Sequence, residues 1–110
     1  MIIKDSVRLD NLCPQMVLAA MVVKDVLSTM KAGQPCVITS GSDSKHSATS
    51  LHYSGQALDF RTRHLDSEDQ KAQLRDLVRA HLSRDYDVIL EATHLHVEWQ
   101  PRYSGAGQGA

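Results

Sequence analysis

A chain of 110 residues with 42% apolar content supports one domain with a modest core and one site at most. Twelve Lys and Arg against 13 Asp and Glu leave a formal net charge of −1, so the basic footprint that phosphate backbones or anionic lipids require is missing. With only 5% aromatic residues there is also little to stack on single-stranded bases, and neither nucleic acid nor a membrane is expected as partner.

The first residues, Met1 to Asp5, pass from two isoleucines to a charged pair without the apolar core or cleavage site of a signal peptide. The longest apolar run, Met16 to Val23, is too short to span a bilayer. The expectation is a chain made in the cytoplasm as a soluble protein. Cys13 and Cys36 lack C-x-x-C spacing and are expected to be reduced, mostly buried thiols.

Residues 1 to 12 read as an irregular or short extended lead-in that ends at Cys13-Pro14, where proline suits the first turn of a helix. Met16, Val17, Ala20, Val23, Val26, Leu27 and Met30 then recur at steps of three and four, predicting a helix with one buried face that stops by Gly33. Its methionines, Met16, Met21 and Met30, are expected to fill gaps in the core. Cys36 to Ser40 is β-branched enough for a buried strand, and it delivers the chain to a polar loop from Gly41 to Ser50.

Gly55 allows a close backbone approach, after which Ala57 to Arg61 reads as a second strand. Its alternation puts Ala57, Asp59 and Arg61 on one face and Leu58 and Phe60 on the other. Ser67-Glu68-Asp69-Gln70 is a capping box that starts a second helix, from about Glu68 to Ser83. Leu74, Leu77, Val78 and Leu82 form its buried stripe, and Lys71, Arg75, Asp76 and Arg79 are expected to be a solvated face.

Tyr86 to Glu91 and His94 to Trp99 read as a hairpin in which His94, His96 and Glu98 share one face and Leu95, Val97 and Trp99 the other. Pro101 ends the last strand, and the Gly/Ala-rich residues 103–110 are expected to fray. The resulting fold class is α+β: a single domain over residues 1–102, with a small antiparallel sheet of about four strands flanked by two helices.

Six histidines are a surplus for this length. Zinc in a catalytic setting takes three protein ligands, often His and a carboxylate, and keeps a fourth position open. His52, Asp59 and one of His94 or His96 satisfy that count, and Glu91 just ahead of the pair is the natural proton shuttle. His64, in a polar turn, and His81, on the second helix, have no partner spacing and are read as ordinary polar residues.

The string Ser50-Leu51-His52-Tyr53-Ser54-Gly55-Gln56-Ala57-Leu58-Asp59, followed by Glu91 and His94-Leu95-His96, resembles the zinc metallopeptidases that group D-Ala-D-Ala carboxypeptidases and dipeptidases, lysostaphin-type enzymes and the hedgehog signalling domain. In wording it is most similar to hedgehog-like bacterial or phage-borne members, and the likeness runs from about Val37 to Trp99. The resemblance implies zinc ligation by His52, Asp59 and His96, a polarising role for His94, acid/base work by Glu91 and a substrate-side or supporting imidazole at His46. It also implies hydrolysis of peptide bonds in peptidoglycan stem peptides, of D-Ala-D-Ala carboxypeptidase or L-Ala-D-Glu endopeptidase type. The expected location is phage-associated, with action on the wall after release. The alternative is a catalytically silent zinc-bearing binding module of hedgehog type.

Three departures from the family pattern bear on these roles. Thr93 stands where many members carry an acid, so either Glu91 works with His96 as ligand, or Glu91-Ala92-Thr93-His94 is an E-x-x-H pair with His94 as ligand. Lys45 is the only cation where the dipeptidases hold a substrate carboxylate with arginine. The calcium-binding acids of hedgehog proteins are reduced to Asp43, so no calcium site is expected.

Overall fold

The computed structural model describes residues 1–30, 33–41 and 55–101. Its elements run β1 (Ile2–Ile3), α1 (Pro14–Thr29), β2 (Val37–Ser40), β3 (Ala57–Arg61), α2 (Glu68–His81), β4 (Tyr86–Leu90) and β5 (His94–Trp99). The strands form one sheet in the order β1-β2-β3-β5-β4. The four expected strands pair antiparallel, β2 with β3, β3 with β5 and β5 with β4. The lead-in adds a fifth, because Ile2 and Ile3 pair parallel to Val37 and Ile38, which makes the sheet mixed rather than antiparallel throughout. Two apolar residues carry no periodicity, so this edge strand had no signal beyond an extended segment.

Both helices lie on one face of the sheet, α1 against β3, β5 and α2, and α2 against β4. The core they close is built from Ile38, Leu58, Phe60, Val88, Leu95 and Val97 of the strands, Met16, Val23 and Leu27 of α1, and Leu74 and Val78 of α2. Each such side chain contributes about 1.5–3 kcal/mol by leaving water.

Two expected core positions are corrected. Val17 is 46% exposed, and Ala19 faces inward instead. Met21, expected to fill a core gap, is also exposed, while Met16 and Met30 are buried. The reason lies in the composition of α1, which is apolar nearly all round, so that a spacing of three and four fits more than one face. Tyr86 ties the start of this helix to β4, its hydroxyl donating to the Gln15 carbonyl at 2.8 Å.

The N-cap half of the expected capping box at α2 forms, while Gln70 reaches one residue further back, to Asp66 instead of Ser67. Ser67 Oγ accepts the Gln70 N–H at 3.2 Å, and Gln70 Oε1 accepts the Asp66 N–H at 2.9 Å. The helix ends at His81, two residues before the expected Ser83. Arg79, expected merely to face water, donates from Nε and Nη2 to the Val88 carbonyl at 3.0 and 2.6 Å. A carbonyl of the edge strand β4 is thereby occupied, which blunts that edge against pairing with another chain.

Two glycines place the lead-in beside the functional half of the sheet. Gly55 has φ +73°, and a Cβ there would overlap the Asn11 carbonyl oxygen and lie 2.9 Å from Leu12 Cα. Its own carbonyl accepts the Cys13 N–H at 3.0 Å. Gly41, just past β2, backs onto the Arg8 carbonyl with the same intolerance of a side chain. Residues 8–13 therefore run along both the exit from β2 and the approach to β3.

Candidate functional site

Antiparallel pairing of β3 with β5 aligns Ala57 with Glu98, Asp59 with His96 and Arg61 with His94. Opposed residues share a face, and Leu58, Phe60, Leu95 and Val97 already occupy the helix side. Asp59, His94, His96 and Glu98 are consequently gathered on the face turned away from the helices. Ser40 of β2 and Ile89 of β4 extend the row of Asp59 and His96 across four strands. Between Ile38, opposite Phe60, and Ser40, opposite Asp59, the register slips by one residue, so Thr39 is a bulge beside the site.

The side chains form one connected chain of acids and imidazoles. His96 Nδ1 lies 2.8 Å from Asp59 Oδ1, and His96 Nε2 lies 2.7 Å from Glu98 Oε1. The second oxygen of Asp59 is 3.7 Å from His94 Nε2, which in turn is 3.0 Å from Glu91 Oε1. On the other side of that ring, His94 Nδ1 faces the Thr93 hydroxyl at 3.1 Å. Asp59, His96 and Glu98 are largely screened from solvent, with side chains 13–16% exposed, whereas Glu91 at 48% opens to it.

Two carboxylates facing both nitrogens of His96 favour its doubly protonated form. The bond to Asp59 raises its pKa to about 9, opposed by burial and assisted by Glu98. Three carboxylates, Asp59, Glu91 and Glu98, surround the two imidazoles, so the cluster is strongly acidic and suited to a cation.

Of the residues expected at the site, Asp59, His94, His96 and Glu91 are brought together, while His46 and His52 lie outside the described residues, as do the polar stretch 42–50, with Asp43 and Lys45, and the tail 103–110. Period-two alternation puts Glu98 on the correct face but gives it no role. Its contribution follows from which ring nitrogen of His96 it meets, and sequence does not carry that. His64 and His81 add no contact to this network among the described residues, and burial holds His64 below the ordinary imidazole pKa. Cys36 is buried and its thiol is pushed up to about 11 by desolvation, so it is a core residue at neutral pH.

Among the described residues no three His, Cys, Asp or Glu side chains stand in metal-holding geometry. The donor chemistry nonetheless suits zinc: one carboxylate and one imidazole in direct contact, a second imidazole nearby, and Glu98 on the far nitrogen of His96, where carboxylates commonly orient a metal-bound histidine. No helix among the described residues is long and apolar enough to cross a membrane.

Fold and site together define a class: an α+β domain whose sheet presents an imidazole and carboxylate cluster on the face away from its helices. Comparison with models of known protein families and with curated proteins finds no match.

Proposed function

We propose that this chain is a minimal zinc peptidase acting on peptidoglycan stem peptides, built like the D-Ala-D-Ala peptidase, lysostaphin and hedgehog group that its motifs resemble. The observation that carries this reading is the contact chain Glu98–His96–Asp59–His94–Glu91, which joins two sequence segments over 30 residues apart into one acid and imidazole site.

His52, Asp59 and His96 would hold the metal, with His96 contributing Nδ1, the nitrogen that faces Asp59. Zinc so held supplies a Lewis acid that polarises a carbonyl and lowers the pKa of water. Glu98 fixes the tautomer and plane of His96 through Nε2. Glu91, solvent-facing and 3.0 Å from His94, takes a proton from the attacking water and returns it to the leaving amine.

His94, steadied by Thr93 and Glu91, stabilises the negative charge that develops on the carbonyl oxygen. Thr93 thus orients an imidazole at the position where related enzymes carry an acid. The distances favour His96 over His94 as ligand, since His96 is the closer to Asp59 and His94 is engaged by Glu91.

The test is release of free amino groups from purified peptidoglycan by the zinc-loaded protein and by Glu91→Gln. Wild type is expected to release them and the variant to lose at least two orders of magnitude in rate, in the range of general acid/base catalysis at roughly 10²–10⁴-fold. Zinc-loaded wild type without any release would reassign the chain as a zinc-bearing binding module.

A further inference from the structure

The turn that carries β3 into α2 holds three stranded polar atoms. Thr62 Oγ1 and both ring nitrogens of His64 are screened from solvent and have no hydrogen-bond partner among the described residues. Polar atoms buried in this way lower the stability of the segment that contains them, and segments of low local stability are the ones that open first. Thr62 and Leu65 are themselves buried, while Arg63 and Asp66 beside them are exposed.

Two backbone hydrogen bonds tie this turn down. The Leu65 N–H donates to the Thr62 carbonyl at 2.9 Å, closing the turn around His64, and the Thr62 N–H donates to the Thr93 carbonyl at 3.3 Å. The second bond reaches the connection between β4 and β5, where the Thr93 hydroxyl faces His94 and the Glu91 N–H donates to the His94 carbonyl at 2.9 Å. A single long hydrogen bond therefore joins the His64 turn to the loop that presents Glu91 and His94.

The surroundings of the ring suit only its neutral form. Burial lowers the His64 pKa; the Pro35 carbonyl, in the segment before β2, opposes this without closing a hydrogen bond, and Arg61 of β3 lowers it further. Cys36, next to Pro35, is a neutral thiol at the same pH. No carboxylate among the described residues pairs with the ring. An imidazolium at this position has neither a counter-ion nor an acceptor, and water is where it finds both.

We propose that His64 is an acid-sensitive latch on the Glu91 and His94 loop. Uncharged, its ring stays packed in the turn; protonated, it leaves for water, the turn opens, and the Thr62 N–H releases the Thr93 carbonyl. The linked stability is present above the ordinary imidazole pKa of 6.5 and is lost as pH falls below it, the opposite sense to His96. The latch does not rest on the peptidase reading; its consequence for turnover does.

The experiment is amide hydrogen exchange followed by NMR at pH 7.5 and 5.5, with chelator present, on wild type, His64→Gln and His64→Leu. Corrected for intrinsic exchange, protection of the Thr62 amide should fall roughly 3- to 10-fold at pH 5.5 in wild type, since a freed imidazole is about 10:1 charged one unit below 6.5. Both variants should keep their protection, which separates His64 from His94, still present in each. The His64 ring should titrate below 6.5. Unchanged protection in wild type, an equal fall in the variants, or a ring that titrates at or above 6.5 overturns the latch.

In peptidoglycan hydrolysis by the zinc-loaded protein, the acid limb of kcat should move to lower pH in both variants. An acid limb common to all three proteins overturns the coupling to the site. No turnover at any pH, with the exchange difference intact, keeps the latch and removes the peptidase.

Discussion

Replacing Asp59 by Asn tests the electrostatics of the site independently of any metal. In the metal-free protein His96 sits between Asp59 and Glu98, and its pKa rises from 6.5 to about 9, chiefly through the bond to Asp59. Because the folded pKa is the raised one, the linked stability is fully present below pH 6.5 and is lost as pH climbs through about 9. A shift of that size corresponds to about 3 kcal/mol at full strength, and solvent screening of a partly exposed ring reduces it to about 1–2 kcal/mol.

Urea unfolding with chelator present, from pH 6 to pH 9.5, should show wild type losing that amount relative to Asp59→Asn. The NMR titration of the His96 ring should have its midpoint near 9 in wild type and fall toward 6.5 in the variant, with a smaller fall in Glu98→Gln. A wild-type His96 that titrates at or below 6.5 would refute the reasoning, since the contacts at 2.8 and 2.7 Å would then not be holding a proton.

The remaining expectations concern the frame and the ligand assignment. Gly55→Ala forces a side chain into left-handed backbone against the Asn11 carbonyl and should cost about 1–3 kcal/mol, lowering Tm by roughly 10 °C; an unchanged Tm would mean the lead-in does not pack there. Phe60→Ala, at a fully buried position under the site, should cost about 3–5 kcal/mol in denaturant unfolding, and a loss below 1 kcal/mol would contradict the core described. His96→Ala should lose bound zinc, while His94→Ala keeps it and loses peptide hydrolysis. The reverse outcome would make Glu91 and His94 the E-x-x-H pair.

Much of the site's placement was legible because strand alternation is unforgiving. The bounds Ala57–Arg61 and His94–Trp99 coincide with those read from the sequence, and those bounds put Asp59, His94 and His96 on one face. Helix α1 was less legible in its orientation, since a nearly continuous apolar run let Val17 compete with Ala19 for the core. The parallel edge strand at Ile2 and Ile3 depends on a partner 35 residues away, and no local pattern announces it. The role of Glu98 is less legible for a related reason. It arises from cross-strand register, which sets Asp59 against His96 and leaves the other ring nitrogen of His96 to Glu98.

The zinc content of the purified chain after loading and exhaustive dialysis tests most directly whether the two distant segments form one metal site. About one tightly held ion per chain is expected, the stoichiometry of a single three-ligand site. A wild-type chain that retains none, with its fold intact by circular dichroism, would contradict it.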